Sequence, residues 1–232
     1  MSLTRRQVIE AGASAGGLAL LGSSPLLASA LPSPAKRKEM RATPPHEPQA
    51  TQPARARVAV DPDVDPRIVA RARAAFDRHR SRIARADVVG IVDFSKMSNV
   101  PRFYLLDTNS GRVTRHYVSH GRGSDPGHTG FLQQFSNRIG SEATSEGAYL
   151  VGAYYEGQYG RSMRLTGLDH TNYNAYARAI VVHPAWYAEP SIIQTQGRLG
   201  RSEGCFSLSA ASHRETLARL GPGHFLYAAR AA

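Results

Sequence analysis

The run from His183 to Leu208, HPAWYAEPSIIQTQGRLGRSEGCFSL, constrains this chain more than any other stretch. It holds the only cysteine in 232 residues, Cys205, directly after Gly204 and three residues past Ser202. The apolar, β-branched run Ala179-Ile180-Val181-Val182 ahead of it reads as a buried strand that delivers His183 at its end. A thiol attacks only as the thiolate, so a nucleophilic cysteine needs a neighbouring base or cation. His183 is the candidate base. Glycine beside a nucleophile lets backbone approach a substrate carbonyl, so amides near Gly204 can face a developing oxyanion. A lone cysteine near a core histidine is more often structural than reactive. Here Gly197, Gly200 and Gly204 lie among Arg198, Arg201 and Ser202, a segment too polar for a core. A cationic loop of this kind is expected to lower the thiol pKa.

The pattern His183…Ser202-x-Gly204-Cys205 resembles the signature of L,D-transpeptidase (YkuD-type) catalytic domains. The segments VSHGRGS, FSN, RLTGLD, RAIVVH and GRLGRSEGC resemble in particular the murein L,D-transpeptidase catalytic-domain family, over roughly residues 87–228. The resemblance implies a mainly β fold: a YkuD-like β-sandwich of mixed sheets with peripheral α-helices. It also implies a cysteine-dependent peptidoglycan enzyme without metal or organic cofactor, acting on stem peptides. Cys205 would be the nucleophile, His183 the general base and acid, Gly204 an oxyanion donor through its backbone, and Ser202 a residue that orients the site. Many relatives carry an arginine two residues after the cysteine, where this chain has Ser207. Arg201 or Arg198 is the expected replacement as substrate anchor. His120 and Gly121, at a strand end that opens a glycine-rich loop, are further candidates for substrate contact.

Charge is unevenly spread. Residues 36–86 carry 13 Lys and Arg against 6 Asp and Glu, whereas residues 87–232 carry 14 against 11. Basicity of this degree suggests nucleic acid first, but no nucleic-acid-binding motif accompanies it. An anionic cell envelope is the partner that fits an exported protein, and a monomer is expected. A single cysteine excludes an intramolecular disulfide framework.

In chain order, residues 1–30 read as a twin-arginine export signal, with Arg5-Arg6, a weakly apolar Gly/Ala-rich stretch and an Ala28-Ser29-Ala30 cleavage site. Glycines and Pro25 interrupt the apolar stretch, which falls short of the roughly 20 apolar residues of a spanning helix. The expected location is periplasmic. Residues 31–62 read as a proline-rich, basic, disordered linker. Residues 63–86 read as a basic amphipathic helix capped by Asp65 and Pro66, packing its Ile/Phe face on the domain. From Val88 the period becomes two, giving an antiparallel meander over Val88–Phe94, Arg102–Asp107 and Val113–His120. A strand pair follows at Ala148–Tyr155 and Ser162–Thr166, then a strand at Arg178–His183. Pro184–Gly197 reads as a lid or loop. A helix capped by Ser209 and a last strand at His224–Ala228 complete the catalytic domain, residues 87–232. Tyr154, Tyr155, Tyr159 and Tyr173 are expected along a groove, and His128 at the surface.

Chain order separates this pattern from papain-like and NlpC/P60-like enzymes, which place cysteine before histidine, and no threonine-rich sortase motif is present. Two alternatives stay open: an L,D-carboxypeptidase or endopeptidase using the same acyl-enzyme, and a non-catalytic wall-binding module. N-terminal sequencing of the exported protein should begin at Leu31. Replacing Arg5 and Arg6 with lysine should abolish export, and unchanged export would remove the twin-arginine assignment.

Overall fold

A computed structural model describes residues 64–231; the expected export signal and linker lie outside the described residues. The first helix, α1 (Pro66–Arg78), starts where the sequence places it. Asp65 accepts the Arg67 amide at 2.8 Å and proline occupies the first turn. The helix ends eight residues earlier than its periodicity suggests. At His79 the ring Nε2 meets Asp169 at 2.8 Å, and a 3₁₀ turn at Arg80–Arg82 redirects the chain. The Arg85 amide then bonds the Gly223 carbonyl, which aligns the chain with its neighbouring strand. Ile68, Val69, Ala72 and Ala75 are buried, so the apolar face packs on the domain.

Eight strands follow: β1 (Val88–Asp93), β2 (Phe103–Asp107), β3 (Val113–His116), β4 (Gly147–Gly157), β5 (Gly160–Gly167), β6 (Val181–Pro184), β7 (Phe206–Leu208) and β8 (Phe225–Ala229). They form one mixed sheet in the order β3-β2-β1-β8-β4-β5-β6-β7. The meander β1-β2-β3 and the hairpin β4-β5 are antiparallel, as alternation predicts. The pairings β1-β8 and β6-β7 are parallel and join segments far apart in the chain.

The fold is mainly β, with three helices at its periphery among the described residues. The sheet curls back on itself. Phe94, after β1, and Phe206, on β7, have ring centroids 6.1 Å apart although four strands separate β1 from β7 in the sheet. Between the two halves lies one core, with Phe94, Phe103, Tyr149, Met163, Leu165 and Phe206 nearly inaccessible. A second core lies on the opposite face under α1, where Phe76 meets Phe225 edge to face at 5.4 Å.

The expected loop Pro184–Gly197 is instead a 3₁₀ turn at Trp186–Ala188 and a short helix, α2 (Pro190–Gln196). Pro190 in the first turn and Gly197 at φ 72° supply its boundaries. Helix α3 (Ala210–Arg219) starts at Ser209, whose side chain accepts the Ser212 amide.

Ile68, on the inner face of α1, is fully buried, so Ile68→Ala should cost roughly 2–5 kcal/mol in a denaturant melt. Cys205 reactivity should stay unchanged; its loss would mean that α1 supports the site directly.

Candidate active site

The parallel pairing of β6 and β7 assembles the site. His183 stands opposite Ser207, and Val182 opposite Phe206. Side chains alternate faces along a strand, so Ser207 shares the face of His183 while Phe206 enters the core, and Cys205, just before β7, opens on the groove that His183 lines. Phe206 is fully buried against Tyr149, ring centroids 5.5 Å apart, which anchors the register.

The loop before Cys205 is held by its own serine. Ser202 Oγ donates to the Cys205 carbonyl at 2.7 Å and accepts the Gly204 amide at 3.2 Å. Its backbone is held on both sides: the Ser202 amide donates to the His120 carbonyl and the Arg122 amide donates to the Ser202 carbonyl. Gly204 lies at φ 112°, and a Cβ there would stand 2.7 Å from the Ala143 carbonyl oxygen. Gly121 is pressed against the same loop, where a Cβ would come within 2.8 Å of Gly204 backbone.

Cys205 and His183 line one groove of about 850 Å³, together with Tyr155, Tyr159, Arg178, Tyr187, Arg201 and other residues of the surrounding loops. Cys205 is half-buried. Its Sγ donates to the Ala179 carbonyl at 3.6 Å, and no hydrogen bond joins it to His183. Ala179 takes φ 54°, strained for a residue with a Cβ, and so presents that carbonyl to the sulfur. The imidazole of His183 is 3% exposed. Its Nδ1 lies 3.0 Å from the Pro184 carbonyl and its Nε2 3.0 Å from Ser207 Oγ, while Tyr159 stacks on the ring at 4.5 Å. A carbonyl only accepts, so Nδ1 carries the proton and Nε2 presents a lone pair.

Electrostatics correct one expectation. The cationic loop was expected to lower the thiol pKa; instead burial pushes Cys205 up to about 11. The Val181 amide pulls it down and the Glu203 carboxylate pushes it up, with Arg178 attracting the thiolate more weakly. Arg201 spends its guanidinium on the carbonyls of Asp125 and Pro126. Burial also lowers His183, which favours the neutral imidazole. The groove therefore favours a protonated thiol and a neutral imidazole over an ion pair.

Other expected residues fall apart from this centre. His120 is buried and does not line the groove. Arg102 donates to its Nδ1 at 2.8 Å, and its Nε2 faces Asp125 at 3.3 Å. Burial lowers its pKa to about 3, so it serves as a neutral structural link, with Gly121 supporting the loop beside it. Arg198 is also away from the groove; its Nε is buried without a partner and its Cβ packs by Gly130. The Gly204 amide, expected at an oxyanion, is engaged by Ser202 Oγ. Tyr155 and Tyr159 reach the groove, whereas Tyr154 bonds the Leu217 carbonyl and Tyr173 points to solvent. His128 is half-buried, its Nε2 2.9 Å from the Leu199 carbonyl. Among the described residues no cluster of His, Cys, Asp or Glu is arranged to hold a metal ion.

Arg178 is the residue that sequence reasoning missed. It donates to the Ser136 carbonyl at 2.6 Å, to Ser145 Oγ at 2.7 Å and to the Ala143 carbonyl. These partners are neutral, so its charge is left to act on Cys205. Its place five residues before His183, at the head of RAIVVH, was the available signal. Tyr187 was obscured by the loop reading of its segment.

The family model of the L,D-transpeptidase catalytic domain matches residues 60–229, and the chain belongs to that family. An L,D-transpeptidase from Mycobacterium smegmatis aligns at 16% identity and a TM-score of 0.39, covering 62% of this chain and 59% of that one. An L,D-transpeptidase from Xylanimonas cellulosilytica aligns at 18% identity, 68% of each chain and a TM-score of 0.36. A helical cell shape determining protein from Campylobacter jejuni aligns at 13% identity, 65% and 49% coverage and a TM-score of 0.41. This chain thus spans about six tenths of the length of the first solved chains it matches. No curated protein matches it.

Loss of the Arg178 charge should raise the thiol pKa further. Arg178→Gln should therefore shift the alkaline rise of Cys205 alkylation by iodoacetamide to higher pH, and a shift to lower pH would exclude this role.

Proposed function

We propose that this domain is a peptidoglycan L,D-transpeptidase that works through a thioester at Cys205. The observation that carries the reading is a half-buried thiol and a neutral imidazole at a parallel strand pair, opening on one groove. Membership in the family supplies the substrate class: stem peptides of the cell wall.

In this reading the carbonyl that follows an L-configured centre of the donor stem lies over Sγ. His183 Nε2 takes the thiol proton as the C–S bond forms, then returns it to the leaving amine. Because both groups start neutral, proton transfer accompanies attack. The Cys205 amide meets the developing oxyanion, and the Gly204 amide joins only by leaving Ser202 Oγ. The Pro184 carbonyl holds Nδ1–H and steadies the imidazolium. Arg178 favours the thiolate before attack and can pair with a donor carboxylate afterwards. An acceptor amine resolves the thioester; water in its place gives the carboxypeptidase or endopeptidase outcome.

The basic residues 36–86 are proposed to hold the exported enzyme on the anionic envelope without entering the chemistry. No described helix is long and apolar enough to cross a membrane.

Muropeptide mass spectrometry after incubating the domain with purified sacculi tests the reaction. New cross-links indicate transfer, and shortened stems alone indicate hydrolysis. Cys205→Ala should abolish turnover and any covalent adduct with a carbapenem, which offers a strained carbonyl. Turnover that survives would favour a wall-binding module with a contaminating activity. His183→Ala should keep the thiol but slow acylation about 10² to 10⁴-fold. Arg201→Ala should raise KM with kcat unchanged if it anchors substrate; equal falls in kcat and kcat/KM would give it a transition-state role.

A further inference from the structure

The lone pair of His183 that the thiol requires is already occupied. Nδ1–H is committed to the Pro184 carbonyl, so the neutral ring has one acceptor site, Nε2. Ser207 Oγ lies 3.0 Å from it, and Ser207 is fully buried. The Ser207 hydroxyl must therefore donate to Nε2. Tyr187 Oη lies 3.0 Å from the same Oγ, and with the Ser207 proton spent on His183, Tyr187 is the donor of that bond. The result is a directed chain, Tyr187 O–H to Ser207 O–H to His183 Nε2. Cys205, in the same groove, sends its proton to the Ala179 carbonyl instead.

We propose that Ser207, backed by Tyr187, is a positioning residue that competes with the Cys205 thiol for Nε2 of His183. The free protein thereby holds its base capped, and an acyl donor in the groove uncaps it. This rests on the reading of Cys205 as nucleophile and His183 as base. Tyr187 lines the groove, so a bound donor meets the chain at its outer end. When the Ser207 hydroxyl turns away, no heavy atom changes protonation. The S–H bond then breaks as Nε2–H forms, and the new imidazolium can donate to Ser207 Oγ. A hydroxyl serves both states because it donates to the neutral ring and accepts from the charged one. A guanidinium at this position could donate to the neutral ring but has no acceptor for the charged one.

The other groups that face His183 bear on its titration. Tyr159 stacks on the ring from the β4–β5 turn, and His213 approaches from α3 with its Nε2 buried and unpartnered. Arg178 and Glu203 share the groove.

The test needs no peptidoglycan. Cys205 alkylation by iodoacetamide is followed from neutral to alkaline pH, alongside ¹⁵N NMR of the histidine rings. Ser207→Ala should alkylate about three- to tenfold faster at neutral pH, the release of one hydrogen bond of ordinary net strength. The His183 Nε2 resonance should move toward that of an unbonded lone pair. Tyr187→Phe keeps the capping hydroxyl but loses its orientation, and should fall between Ser207→Ala and the wild type. Ser207→Ala at or below the wild-type rate overturns the proposal. If that variant does not fold, the wild-type spectrum decides: an Nε2–H tautomer of His183 overturns it, and an Nδ1–H tautomer with a hydrogen-bonded Nε2 supports it. Failure of the transpeptidase reading looks different, because Cys205 would then alkylate yet accept no carbapenem or muropeptide.

Discussion

The parallel pairing of Val182 with Phe206 and His183 with Ser207 carries the rest of this structure. Strand alternation does the sorting. Phe206 goes to the core, where it touches Phe94 and Tyr149, while Cys205 lines the groove and Ser207 is buried against His183. A one-residue slip would exchange those faces, burying the thiol and exposing a phenylalanine. The large apolar side chain therefore sets the geometry of the small reactive ones. The loop around Ser202 adds the second constraint. Its serine bonds both ends of its own turn, and Gly121 and Gly204 let three backbone segments approach more closely than side chains would allow.

Burial dominates the electrostatics of the groove. Arg178, Arg201 and Arg122 surround it, yet Cys205 is raised, because burial outweighs their attraction for the thiolate. Burial also lowers His183. The three arginines differ in their partners. Arg201 holds two carbonyls of the 121–130 segment, and Arg122 is paired with Glu142 and Glu203. Counting arginines near a cysteine overstates their effect; what matters is which of them lack an acidic partner. By that criterion Arg178 and Arg201 both keep their charge, and Arg178 is the one of the two that acts on the thiol.

Much of the fold was legible because alternation is a local signal. The meander, the β4–β5 hairpin and the Ser209 cap all follow from periods and caps within a few residues. The parallel pairs β1-β8 and β6-β7 were not legible, since nothing in either strand names a partner more than twenty residues away. Helix α1 was overextended because its apolar spacing continues to Ile83; a tertiary bond from His79 to Asp169 ends it first. Helix α2 was missed despite its Pro190 and Gly197 boundaries, because its seven residues are too few to show a helical period. In the site, Cys205, His183 and Ser202 were readable from one motif. His120 and Arg198, also put forward from the sequence, do not line the groove, since loop residues carry no sign of which way they face.

The exchange at position 207 follows from the same packing. Ser207 is fully buried between His183 and Tyr187, so a guanidinium there would have to shed its water against an imidazole and a phenol with no carboxylate to receive it. A hydroxyl fits because it can reverse the sense of its bond as the imidazole changes charge. In the proposed reading the anchoring charge lies instead on Arg178 and Arg201, which reach the groove from the β6 approach and from the cysteine loop. Their heads are held by backbone carbonyls, which fix position without neutralising charge. In the proposed reading this gives a division of labour: cations at the walls for a carboxylated peptide, and an uncharged hydrogen-bonded chain around the base that moves the proton.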